Sequence, residues 1–204
     1  MKIKIRKGAF DCNSSSMHSL VVTKENSYYT EEEARKGIYV DKDGMIRPYD
    51  MEFGRSPFKV LSTLYEKALY TLASMCRYKD DKVYTEVCLA IYDYVQEFKD
   101  FKLDFSAESH REDYYTEEKM KEYYGEGNYI KKENHWITWE YNTGYVDEDI
   151  LSGFLKKENI TITEFLKNKR YIVIVDGDEY CIYKDMKKCG LINTDNIERE
   201  YPED

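Results

Sequence analysis

Tyr171-Ile172-Val173-Ile174-Val175 is the most apolar run in the chain. Four consecutive β-branched residues, bounded by the turn residues Asp176-Gly177-Asp178, are too short for a buried helix. The run therefore reads as a central strand covered on both faces. Downstream, Tyr180-Cys181-Ile182-Tyr183 reads as its hairpin partner, and Asp185 to Cys189 as a short helix stopped by Gly190. The tail from Asn193 to Asp204 carries five acids and one arginine and is expected to fray. Upstream, Asp147 to Lys157 forms an amphipathic helix through Ile150, Leu151, Phe154 and Leu155, and Thr161 to Leu166 a short capped one. The alternation in His135-Trp136-Ile137-Thr138-Trp139-Glu140-Tyr141 predicts a further strand.

The N-terminal quarter repeats the strand pattern. In residues 2 to 10, Ile3 and Ile5 alternate with Lys2, Lys4 and Arg6, and Ser19-Leu20-Val21-Val22-Thr23 predicts a second strand. The serine-rich loop Asp11 to His18 would close them into a hairpin. Thr30-Glu31-Glu32-Glu33 has the form of a capping box and starts a helix that stops at Gly37. Ile38-Tyr39-Val40 and Met45-Ile46 form a smaller hairpin turning at Asp43-Gly44.

Between these β-rich ends lies a helical pair. Ser56-Pro57 is a helix entry, followed at three- and four-residue steps by Leu61, Leu64, Ala68, Leu72, Met75 and Cys76. After Lys79-Asp80-Asp81 the same spacing returns in Val83, Val87, Ala90, Ile91, Tyr94, Val95 and Phe98. The expected fold is α+β: a small, mostly antiparallel sheet built from N- and C-terminal strands, with a central two-helix hairpin, in a single domain spanning 1–204.

Composition bounds the function. The 204 residues carry a net charge of −9, which disfavours nucleic acid and anionic lipid as direct partners and suits a basic one. No run approaches the length of a membrane span, and Met1-Lys2-Ile3-Lys4-Ile5 does not lead into an apolar segment, so a cytoplasmic protein is expected. Five cysteines, widely spaced and without C-x-x-C, predict reduced thiols, with Cys76 and Cys88 as small core residues. Only three histidines are present, at 18, 110 and 135, so neither a metal site nor a cofactor is expected. The chain lacks G-x-G-x-x-G, the P-loop and G-x-S-x-G, and so the best-marked nucleotide and acyl-transfer enzymes.

Two stretches carry candidate sites. Asp11-Cys12-Asn13-Ser14-Ser15-Ser16-Met17-His18-Ser19 gathers hydroxyls, an amide, a thiol and an imidazole. Asn13, Ser14, Ser15, Ser16, His18 and Ser19 could hold a phosphate or carboxylate, or simply fix their own turn. A nucleophile at Cys12 or a serine would need His18 as base and a third, orienting group that the sequence does not display. The second stretch, 99–133, reads as a mobile or partner-binding acidic insertion. Residues 79 to 133 hold 15 acids against 9 bases, a net −6. There Glu112, Asp113, Tyr114, Tyr115, Glu117, Glu118, Tyr123 and Tyr124 combine carboxylates with large, low-entropy aromatic area, the composition of a surface that mimics nucleic-acid phosphates to a basic protein. Separately, Arg6, the serine triplet and Glu198-Arg199-Glu200 keep the order of the arginine, serine and paired-glutamate elements of ADP-ribosyltransferases. They leave no room, however, for the structure that separates the first two elements in that family.

The opening strand, Gly8-Ala9-Phe10 and Asp11-Cys12-Asn13-Ser14-Ser15-Ser16-Met17-His18-Ser19-Leu20, resembles the start of many small uncharacterised proteins of bacteriophages and mobile elements. The stretches from Gly144-Tyr145-Val146-Asp147 through Phe165-Leu166, from Tyr171 to Asp178 and over Gly190-Leu191-Ile192-Asn193 look like their C-terminal part. The resemblance covers the two ends and implies a setting, a bacterial cytosol hosting a phage or integrated element. In that setting, accessory proteins commonly disable host defence. The leading expectation is a non-enzymatic, anti-CRISPR-like inhibitor that binds a basic host protein such as a CRISPR effector. A nucleotide- or phosphate-binding protein using residues 13–19 is the alternative, with a structural protein of the phage particle as a third.

Overall fold

A computed structural model describes residues 17–48, 53, 59–76, 79, 81–103, 107–111, 116–127, 129–132, 135–140, 148–176 and 192–202. The strand expected at 2–10, the loop at 11–16, the Ser56-Pro57 entry, the hairpin partner at 180–183 and the helix at 185–189 lie outside them. The elements, in order, are β1 (Met17–Thr23), α1 (Glu31–Ala34), β2 (Met45–Ile46), β3 (Lys59–Leu61), α2 (Leu64–Met75), α3 (Lys82–Tyr92), β4 (Asp100–Phe101), β5 (Ala107–Arg111), α4 (Glu117–Tyr124), β6 (Tyr129–Lys132), β7 (His135–Glu140), α5 (Glu148–Glu158), α6 (Ile162–Lys167), β8 (Tyr171–Asp176) and β9 (Ile197–Pro202). The fold is α+β.

Strand β8 is interior, in the order β3-β8-β1-β9, and all three pairings are antiparallel. Its apolar continuity follows from that position, because both faces are covered. Tyr171, Val173 and Val175 join Leu20, Val22 and Leu61 in the main core, whereas Ile172 and Ile174 pack with Val21 in a second cluster on the other face. Helix α2 packs against α3, α5 and α6, and α3 against α6. Phe154 of α5 meets Phe165, Tyr171 and Tyr201 edge-on, with ring centroids 5.4–6.0 Å apart. Aromatic area thus fills the space between the helices and the sheet.

Two expectations are corrected. The helix does not run from Ser56-Pro57 through Leu61: Lys59–Leu61 is a strand paired with β8, and α2 starts after Thr63. Leu61 fits the helical spacing by coincidence. The true start is a capping box, in which Thr63 accepts from the Glu66 N–H while the Glu66 carboxylate accepts from Thr63. Nor does the tail fray over 197–202, since β9 pairs with β1 along the sheet edge. There Glu198 is matched by Arg170 and Arg199, and Tyr201 reaches the core.

The small hairpin turn is as expected. The Asp41 carboxylate accepts from the N–H groups of Asp43 and Met45, Gly44 takes φ +84°, and Val40 bridges Ile46. Strand β2 then pairs in parallel with β4. A separate antiparallel sheet, β5-β7-β6, occupies part of the acidic middle, with α4 between β5 and β6 in the chain and packed against β6.

Candidate functional site

Helix α4 is built by a Thr116 cap, whose hydroxyl accepts from the Lys119 N–H, and ends at Gly125 with φ +75°. Met120 is fully buried and anchors the helix, and the outward face carries Glu117, Glu118, Lys119, Lys121 and Glu122, all exposed. Lys121 is drawn to Glu126 in an exposed ion pair of 2.9 Å. Among the described residues, the carboxylates of Glu117, Glu118 and Glu122 enter no hydrogen bond, while the charge of Glu117 acts on Lys121, four residues on. Glu117 and Glu118 stand in the first turn, where the helix dipole favours them. Glu122 lies in the last turn, four residues from Glu118 and three from Lys119, so that one like and one opposite charge flank it. Beside this face, β6 exposes Ile130 and Lys131.

Of the residues expected to bind a partner, Glu117, Glu118, Tyr123 and Tyr124 therefore share one helix, while Glu112, Asp113, Tyr114 and Tyr115 lie outside the described residues. Glu122, not among the residues expected to bind a partner, lies on the same exposed face.

The serine-rich candidate is only partly described, because Asn13, Ser14, Ser15 and Ser16 lie outside. His18 is buried at 1% exposure. Its Nε2–H donates to the Phe53 carbonyl at 2.8 Å, and its Nδ1 is hydrogen-bonded to the Tyr70 hydroxyl at 3.1 Å. A carbonyl can only accept, so Nε2 carries the proton. Both ring nitrogens are thus engaged in joining β1, Phe53 and α2. Ser19 is half-buried and donates to Glu200, whose carboxyl burial pushes up.

The remaining groups singled out by the sequence are tied into the fold. Arg199 grips Glu158 with two nitrogens, at 2.7 and 3.2 Å, and also meets Glu198, which binds Arg170 at 2.7 Å. Glu198 and Arg199 therefore connect β9 to α5 and to the start of β8. Cys76 is buried, and burial, aided by the Asp100 charge, pushes the half-buried Cys88 thiol up to about 12, far from a nucleophile's range. Among the described residues, no group of three His, Cys, Asp or Glu could hold a metal ion, and no helix is long and apolar enough to cross a membrane.

One buried group was missed altogether. Lys67 is fully covered, on the same stripe of α2 as Leu64, Ala68 and Thr71. A lysine inside an apolar helical stripe was the sequence signal.

No protein-family model, no curated protein and no solved structure matches the chain.

Proposed function

We propose that this chain is a phage or mobile-element accessory protein that binds and inhibits a host nucleic-acid-targeting defence protein, in the manner of an anti-CRISPR, in the cytosol of a bacterial host. The observation that carries the reading is the outward face of α4, where Glu117, Glu118 and Glu122 are exposed and, among the described residues, enter no hydrogen bond. A groove lined with arginine and lysine to follow a phosphate backbone would accept such carboxylates, and a chain of net charge −9 would be steered toward it.

The test is capture of partners by the tagged chain from a lysate of defence-competent bacteria, with bound proteins identified and bound small molecules released and analysed. A nuclease or effector subunit in stoichiometric amount is expected. A released nucleotide without a protein partner would reject the inhibitor and favour the ligand-binding alternative at Asn13 to Ser19. Recovery of neither would reject the inhibitor as well.

A further inference from the structure

The Lys67 amine sits where three segments meet. Its Nζ donates to the carbonyls of Phe165, at 2.7 Å, and of Asn168, at 2.8 Å. These lie at the C-terminal end of α6, where carbonyls lack partners within the helix. The same nitrogen stands 5.0 Å from the Tyr29 ring centroid and 5.4 Å from that of Phe165. Tyr29 belongs to the segment before α1, which is tied in turn to the end of α6 by Tyr29 N–H to Lys167 O at 3.2 Å and Lys169 N–H to Ser27 O at 2.8 Å. Asn168 completes the junction through its side chain, donating to Asn26 and Glu164 and accepting from the Arg170 N–H.

Hydrogen-bond capacity distinguishes the two forms of this amine. Uncharged, it has two N–H groups for two carbonyls. Charged, it has a third N–H, for which the described residues offer the faces of the Tyr29 and Phe165 rings, attractive to a cation but a lesser return than the hydration an ammonium forfeits on full burial. We propose that Lys67 is a proton-operated latch: its uncharged amine ties α6 and the segment before α1 onto α2, and uptake of a proton loosens that junction.

The surroundings favour this direction. Burial holds Lys67 well below the ordinary lysine value, and Glu164 of α6 opposes that shift without reversing it. Glu164 itself accepts from Tyr28 and from Asn168. On the other side stands the Tyr29 phenol, raised by burial and then by Glu66 of α2, Glu25 of its own segment and Glu33 of α1, with Tyr94 and its neighbour Lys167 beyond. Because the folded value is depressed and the unfolded one is ordinary, the latch's contribution is lowest at pH below the folded value. It rises as pH increases through that value toward the ordinary one.

The experiment follows the Lys67 Cε resonance by NMR in the full chain labelled with 13C-lysine, identified by its contacts with the Tyr29 and Phe165 rings. Unfolding of the native chain and of Lys67→Met is measured alongside from about pH 6 to about pH 9, below the range where tyrosines and ordinary lysines titrate. Lys67 is expected to titrate below the exposed lysines, and the margin of the native chain over Lys67→Met to widen as pH rises. Titration together with the exposed lysines would overturn the latch. So would a resonance that never moves while the chain is folded, or a margin independent of pH. If Lys67→Met does not fold, the titration of the native chain decides alone.

Discussion

The acids of the helical layer and those of α4 are chemically alike and differently used. Around the main sheet, Glu33 and Glu66 close capping boxes, Asp41 folds a turn, Glu158 clamps Arg199 and Tyr201, and Asp100 gathers Lys79 and Tyr84. On α4, Glu117, Glu118 and Glu122 face outward without such partners among the described residues. An acid that answers a backbone N–H or a guanidinium is explained by the fold. The acids of α4, interleaved with Lys119 and Lys121, are not placed by such a bond among the described residues.

Acidification should separate the two groups most strongly. Lys169 and then Thr30 hold Glu33 down to about 2. The Met45 N–H, ahead of Asp43 and Arg47, holds Asp41 low, and Glu158 is held low by Arg199 and Tyr201 against the opposing effect of burial. These depressed carboxyls add stability that is complete above the ordinary carboxylate range and lost as pH falls through the folded values. Acid unfolding followed by circular dichroism should therefore fall between about pH 4.5 and about pH 2, with Glu33 spanning that window. Removing the α4 carboxylates should not move this transition. If it did, α4 would share the structural role of the other acids.

A smaller effect is expected from Glu158→Ala, which strands Arg199 and the Tyr201 hydroxyl at the join of β9 and α5. Hydrogen bonds to a charged group, lost from a mostly covered site, should cost about 2 kcal/mol in urea unfolding. A loss indistinguishable from zero would show that the Glu158 clamp adds nothing to the β1 ladder, the Glu198–Arg170 pair and the Tyr201 packing that also hold β9.

How much of this was legible in the sequence differs between the same two regions. The run 171–175, the strand after His18 and the stripes of α2 and α3 could be read because apolar periodicity records burial directly. The start of α2 was misplaced because Pro57 and Leu61 mimic a helix entry, whereas the deciding bonds are those between Thr63 and Glu66. Strand β9 was missed because its alternation is written in ion pairs: Arg199 is matched by Glu158, a residue 41 positions away. Lys67 was missed for a similar reason, its carbonyl partners being 98 and 101 residues distant. At the candidate site, the acidic and aromatic composition was visible. The placement of Glu117, Glu118 and Glu122 on one exposed helix, anchored by Met120, depended on packing.

The most direct measurement compares the native chain with the triple variant Glu117→Gln, Glu118→Gln, Glu122→Gln, in partner capture from the bacterial lysate and in thermal unfolding of the same preparations. The account predicts that the variant loses the captured effector while its unfolding midpoint stays with that of the native chain. Retention of the partner by the variant, or a midpoint that falls with the acids, would contradict it.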